Sequence, residues 1–217
     1  MSNQPIILAL PKGRILEELQ PVLQKVGIVP EPAFTDKESR KLKFDTNIPN
    51  LSIIRVRSFD VATCGACGAA QRGGAGNDVL MEFDCDEIYS PLDLGIGQCR
   101  LSLCQPKDAP AVETQKLSHM KVATKFPNFT KTFFATKGIQ AECIELNGAM
   151  ELAPLLGLAP TMVDLVASGS TLKANNLVEI EVMAQVSSRL IVNRAAYKTQ
   201  GPTLKQWVDK FRQAVGA

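Results

Sequence analysis

Apolar residues recur along this chain in two rhythms. Between 15 and 26, Leu16, Leu19, Leu23 and Val26 stand three or four apart, with Glu17, Glu18, Gln20 and Gln24 between them. That period predicts an amphipathic helix with one buried stripe, and Gly27 supplies its stop. A second helix is expected over 129–137, closed by Gly138, and a third over 204–215, opened by Pro202-Thr203. Short runs rich in Ile, Val and Leu read as strands: 5–10, 51–57, 100–104, 121–124, 141–146, 162–166, 179–186 and 188–192. Strands alternating with helices predict an α/β fold with largely parallel sheets in two βαβ-rich halves. One half comprises 1–98 joined by the returning segment 179–217, and the other comprises 99–178. Ligands in such folds sit where strand C-termini meet helix N-termini.

Composition narrows the function classes. A net charge of +2 over 217 residues is too small for a nucleic-acid-binding face, so no nucleic-acid partner is expected. The opening apolar run, 6–10, is far shorter than the roughly 20 residues of a spanning helix. No basic stretch precedes it, so neither a membrane partner nor a secretory signal is expected, and the chain reads as cytoplasmic. Six cysteines in such a chain read as free thiols. Cys64 and Cys67 form a C-x-x-C, but no second one follows and the single histidine is His119, so no protein-held metal is expected.

The most informative stretch is TMVDLVASGSTLKANNL, 161–177. An apolar strand interrupted by Asp164 gives way to Ser168-Gly169-Ser170-Thr171 and then to helix formers from Leu172. Glycine removes the Cβ obstruction, so backbone amides can approach an anion, and the hydroxyls add donors. A cradle for a phosphate is one reading of this turn. An ordinary Ser/Thr cap on the following helix is the other.

Placed among its neighbours, the stretch is more specific. LNGAMELAPLLGLAPTMVDLVASGSTLKANNLVEIEV resembles the signature region of the ATP phosphoribosyltransferase family. LALPKGRILEE, SRKLKFDTN, IIRVRSFDV and LDLGIGQCRLSL match further family segments in the right order. The resemblance implies two lobes of mixed or parallel sheet flanked by helices, like type II periplasmic binding proteins, with a cleft between them. It implies transfer of the ribosyl group of phosphoribosyl pyrophosphate (PRPP) to N1 of ATP, with Mg²⁺ present, opening histidine biosynthesis.

Under this resemblance Ser168, Gly169, Ser170 and Thr171 hold the 5′-phosphate, and Asp164 and Glu151 face the ribose hydroxyls. Glu151 alone also suits a helix-capping acid. Lys12 and Arg14 follow the first strand, where a polyphosphate is met, and Arg40 and Lys41 stand beside the departing diphosphate. Arginine suits that place because it stays charged and donates a planar fork to phosphate oxygens. The length fits the family's short form, which assembles as homodimers with a regulatory subunit resembling histidyl-tRNA synthetase. A rival from another class is a two-lobed solute-binding module that clamps its ligand without catalysis.

One segment departs from the family pattern. In TCGACGAAQRGGAGNDVL, 63–80, Cys64-Gly65-Ala66-Cys67 replaces a helical turn and Gln71-Arg72-Gly73-Gly74 an acidic-then-apolar strand. Divergence, a local error of reading frame, and a Gly-rich nucleotide loop are the three readings. A buried, unpaired Arg72 would be costly, and glycines would weaken a strand.

Overall fold

The computed structural model describes residues 5–36, 38–110 and 112–217. Along the chain run β1 (Ile6–Pro11), α1 (Arg14–Val26), β2 (Lys43–Asp45), β3 (Leu51–Val56), α2 (Ser58–Ala66), β4 (Arg72–Gly76), α3 (Asn77–Phe83) and β5 (Ile88–Asp93). Then come β6 (Cys99–Pro106), β7 (His119–Thr124), α4 (Pro127–Ala135), β8 (Gln140–Glu145), α5 (Leu152–Leu155), β9 (Thr161–Val166), α6 (Ser170–Ala174) and β10 (Leu177–Val186). β11 (Ser188–Asn193), α7 (Arg194–Thr199) and α8 (Gly201–Val215) complete it. No helix among the described residues is long and apolar enough to cross a membrane.

The chain forms two compact units, Met1–Gly97 with Ser187–Ala217, and Gln98–Val186. The first holds a six-stranded sheet in the order β2-β3-β1-β4-β11-β5. β3, β1 and β4 run parallel, whereas β2, β11 and β5 pair antiparallel, so this sheet is mixed rather than largely parallel. The stripe expected on α1 is buried as Leu16, Leu19, Leu23 and Val26, in one core with Leu8 and Leu10 of β1 and Trp207 and Phe211 of α8. Gly27 ends α1 in the left-handed conformation at φ 83°, a region open to glycine without a Cβ penalty.

The second unit holds a five-stranded sheet, β10-β6-β9-β7-β8. The chain returns to the first unit at Ser187, not at residue 179. The reason is that β10, over Leu177–Val186, pairs antiparallel with β6 and so stays with the second sheet. β10 carries a bulge: Glu179 stands opposite Cys104, and Glu181 opposite Leu103. One step on β6 faces two on β10. Neighbouring β6 residues point to opposite faces, so the two glutamates do as well. Glu181 reaches Lys137 just beyond α4, while Glu179 turns to the face that carries Cys104.

The segment 72–76 is a strand, which removes the nucleotide-loop reading. β4 lies at the centre of the first sheet between β1 and β11, with Arg72 to Gly76 all buried. Its glycines serve packing. A Cβ on Gly73 would lie 2.8 Å from Val61 Cγ1 and 3.0 Å from the Ala9 carbonyl oxygen, so α2 seats closely because no side chain stands there.

Arg72 is the exception to this fit. It is 2% exposed, and its Nε and Nη2 have no hydrogen-bond partner. Its guanidinium lies 5.1 Å from the Trp207 ring centroid, a contact that offsets part of the desolvation penalty. Burial pulls the pKa of its guanidinium well below the usual arginine range, to about 9.

Arg72→Leu should therefore stabilise the protein at pH 7 by about 1–4 kcal/mol, as when a buried charge gives way to a hydrophobe. With a lowered folded-state pKa, the penalty is full below about pH 9. It shrinks as pH rises further, because the folded chain releases the proton first. Urea midpoints of both proteins at pH 7 and 10 test this: a less stable leucine variant, or a gap that widens with pH, contradicts it.

Candidate active site

Each unit contributes one cluster of chemistry-bearing residues at a strand end, and each cluster is built on a left-handed glycine. In the first unit β1 ends at Pro11 and α1 begins at Arg14, so the chain reverses through Lys12 and Gly13. Gly13 has φ 86°, and a Cβ placed there would meet nothing within 4 Å. Conformation, not crowding, requires glycine here, and the space beside the turn is open. The Lys12 amide bonds to the Val56 carbonyl at 3.0 Å, which ties the turn to β3.

A cavity of about 390 Å³ opens beside this turn, lined by Lys12, Gly13, Gln20, Asp36, Ser39 and Arg55 among others. Lys12 and Arg40 are exposed, and neither side chain has an ion pair among the described residues. Arg14 starts α1 and sits 3.4 Å from Glu18 one turn on, with both groups open to solvent. Lys41, expected beside a diphosphate, is ion-paired in this structure. Its ammonium pairs with Glu31 at 2.5 Å and its hydrogen bond holds the Glu31 carboxyl below the usual range. Of the neighbouring pair Arg40 and Lys41, only the arginine is left without a carboxylate.

The pattern over 51–57 predicts only a strand, and it misses the role of Arg55 within it. Its Nη1 donates to the Phe34 carbonyl at 3.1 Å, and Nη2 donates to the carbonyls of Ser39 at 3.1 Å and Lys41 at 3.4 Å. The guanidinium also lies 5.0 Å from the Phe44 ring centroid. One residue thus fixes the wall that presents Arg40. An arginine amid an apolar strand was the available signal, because a fork with five donors seldom faces a wall without carbonyls to meet it.

In the second unit β9 ends at Val166, and Ala167, Ser168 and Gly169 turn the chain into α6. Gly169 takes φ 76° and occupies the cap position, where no side chain makes a capping bond. The plain Ser/Thr cap reading therefore does not describe this turn. Instead Ser168 Oγ lies 2.9 Å from Ser170 Oγ and accepts from the Ser170 amide at 3.3 Å. α6 spans only Ser170–Ala174, a single turn with a weak dipole, so turn amides and exposed hydroxyls are what it offers an anion. Ser168, Ser170 and Thr171 are exposed.

Asp164 and Glu151 lie on the same side of this unit. Asp164 stands opposite Ser102 on β6, on the face that Cys104, Met162, Val166 and Leu172 fill. Its Oδ1 accepts from the Leu165 amide at 2.8 Å. Glu151 precedes α5 but makes no capping hydrogen bond, so the capping alternative is not realised. Burial first, then Glu179, Asp164 and Glu151, push the Cys104 thiol up to about 12, with Arg100 opposing. Those carboxylates therefore converge on one region, and Arg100 is the cation among them.

Against known proteins, residues 57–213 match the family model of ATP phosphoribosyltransferase (HisG). The chain belongs to the ATP phosphoribosyltransferase family. It is 60% identical over 212 residues to the ATP phosphoribosyltransferase of Paramagnetospirillum magneticum, covering 97% of each chain. It is 54% identical to that of Rhodospirillum rubrum, covering 98% of this chain and 94% of the relative. Among solved structures, the ATP phosphoribosyl transferase (HisG:HisZ) complex from Thermotoga maritima aligns at a TM-score of 0.81 and 30% identity, over 97% of this chain and 98% of that one. The alkanesulfonate-binding protein SsuA from Xanthomonas axonopodis aligns at a TM-score of 0.58 with 12% identity, over 97% of this chain and 73% of that one. That likeness shows the fold alone, and it agrees with the expected two lobes of the periplasmic-binding type.

Arg55→Met keeps the stem of this family member's Arg55 and removes its fork. Loss of hydrogen bonds from a charged donor should lower stability by about 1.5–3 kcal/mol. It should also speed amide exchange around Ser39 and Lys41. Native exchange rates there together with an unchanged urea midpoint would show that the arginine anchors nothing.

Proposed function

We propose that this chain transfers the 5-phosphoribosyl group of PRPP to N1 of ATP and releases diphosphate, the first step of histidine biosynthesis. The observation that carries this reading is the near-complete match, at 60% identity, to a relative named for that activity. The site residues follow from the two clusters. Ser168, Gly169, Ser170 and Thr171 receive the 5′-phosphate on hydroxyls and main-chain amides. Asp164 and Glu151 accept from the ribose hydroxyls. Lys12, Arg14 and Arg40 meet the polyphosphate, with Lys41 held back by Glu31.

Breaking the bond from C1 to the diphosphate builds positive charge on the sugar and extra negative charge on the leaving group. Fixed cations help only as far as they bind that developing charge better than the ground state. Arg40 suits this role because no carboxylate among the described residues neutralises it and Arg55 ties down the loop on either side of it, at Ser39 and Lys41. Adenine N1 is the nucleophile, so no side chain must form a covalent bond. Asp164 and Glu151 are hard oxygen donors of the kind Mg²⁺ takes together with phosphate oxygens, so the residues present fit the ion. When bound it adds positive charge at the diphosphate.

The likeness to a chain of the ATP phosphoribosyl transferase (HisG:HisZ) complex supports a histidyl-tRNA-synthetase-like regulatory subunit as partner, around a homodimer of this chain. Incubation with ATP, PRPP and Mg²⁺, with and without that subunit, tests the reading through the ultraviolet change of N1-substituted adenine. Ligand binding without product would instead favour a solute-binding module, which the 12% identity to such proteins does little to support. Light scattering of the mixture should show a complex larger than either component. Arg40→Ala should lower turnover by about 10²-fold, comparable to losing one preorganised donor at a developing anion. Full turnover in the folded variant would remove Arg40 from the mechanism.

A further inference from the structure

Arg100 has no part in the assignments above, yet it stands at the root of the hydroxyl turn. Its Nη1 donates to the carbonyl of Ala167, the residue immediately before Ser168, at 3.2 Å. Its Nε donates to Glu179 Oε2 at 2.7 Å, and both side chains are partly buried, at 32% and 25% exposure. Arg100 pairs with Val166 across β6 and β9, so it lies level with the last residue of the strand that feeds the turn.

Two features make this contact more than a surface ion pair. The first is the bulge between Glu179 and Glu181. A regular strand would leave both glutamates on one face, and both would be drawn to Lys137 or to Arg100 together. The extra residue separates them, giving Glu181 to Lys137 and Glu179 to Arg100. The second is charge. Glu151, Asp164 and Glu179 all act on Cys104 in this region, and their combined field repels a phosphate. Arg100 is the cation that opposes it.

We propose that Arg100, held in place by Glu179, is a positioning residue for the 5′-phosphate turn. It fixes the exit of β9 through the Ala167 carbonyl and offsets the neighbouring carboxylates, so that the amides and hydroxyls from Ser168 to Thr171 are set for the anion before it arrives. The proposal rests on the reading of this turn as the PRPP phosphate site.

The test is a split in substrate dependence, measured on the full chain with its regulatory subunit. Arg100→Gln should raise KM for PRPP about tenfold, while KM for ATP stays within about twofold and Tm within about 3 °C. Arg100→Lys keeps the charge but cannot hold Glu179 and Ala167 together, so it should fall between, at about threefold. Glu179→Gln should also raise KM for PRPP, and the double variant should lose no more than Arg100→Gln alone, because the two residues act as one unit. Lys137→Gln, which breaks the other glutamate's pair, should leave KM for PRPP unchanged. An unchanged KM for PRPP in Arg100→Gln overturns the proposal. So does a rise for PRPP and ATP together in step with a fall in Tm, which is the mark of a merely structural contact. Calorimetric binding of PRPP to the same proteins separates the two levels. Wild-type chain that binds no PRPP sinks the reading of the turn, whereas wild-type binding that Arg100→Gln leaves intact sinks only the role of Arg100.

Discussion

At both chemistry-bearing corners of this chain a strand gives way to a helix within three residues through a backbone conformation that glycine adopts freely and other residues do not. At Gly13 and again at Gly169 the reversal is made by a residue with positive φ. Added Cβ atoms would find open space at the first and only a 4.0 Å contact at the second. Each turn therefore leaves open space at its glycine, beside the first turn of the helix that follows. An anion is the partner such a surface accepts most readily. Everything else that distinguishes the two corners is side-chain chemistry laid on the same backbone device, with lysine and arginine at one and hydroxyls and carboxylates at the other.

Much of this was legible in the sequence wherever period and punctuation agreed. The stripe on α1 and its closing glycine fixed that helix to within a residue, and the strand at 162–166 followed from its apolar run. What escaped has physical causes. β4 reads Arg-Gly-Gly-Ala-Gly, which no strand propensity favours; it is a strand because Val61 and Ala9 fill the space that side chains would occupy. The boundary at Ser187 was misplaced because β10 and β11 are adjacent runs of one type, and pairing with β6, not composition, decides which sheet receives the first. Arg55 and Arg100 fall within runs that the sequence marks only as strands. Their carbonyl partners come from segments 14 or more positions away in the sequence, which no local pattern reveals.

The departure from the family pattern is absorbed by the first unit without a change of topology. Gln71 stitches the start of β1, accepting from the Ile7 amide at 2.8 Å, and donates back to the Gly68 carbonyl. Only Arg72 is poorly served, and it lies in the sheet between Leu8 and Val192 rather than at the turn after β1. The local cost therefore falls on stability, while the geometry that presents Lys12 and Arg40 is set by contacts to Val56, Phe34 and Ser39 that do not involve the altered segment.

A fold shared with solute-binding proteins at 12% identity cannot by itself separate holding a ligand from transforming it. The separation lies in how charge is left over. A binding protein is best served by cations fully matched to the bound anion, since uniform affinity is its whole task. Here Lys41 is matched internally by Glu31, and Arg100 by Glu179, while Arg40 stands without a carboxylate among the described residues, on a loop that Arg55 ties down at Ser39 and Lys41. A cation withheld from ground-state partners and fixed in place has most to gain when a leaving group acquires new charge. Pairing Lys41 and Arg100 internally while leaving Lys12 and Arg40 without a carboxylate is a distribution suited to diphosphate departure, and one that simple retention of a ligand would not need.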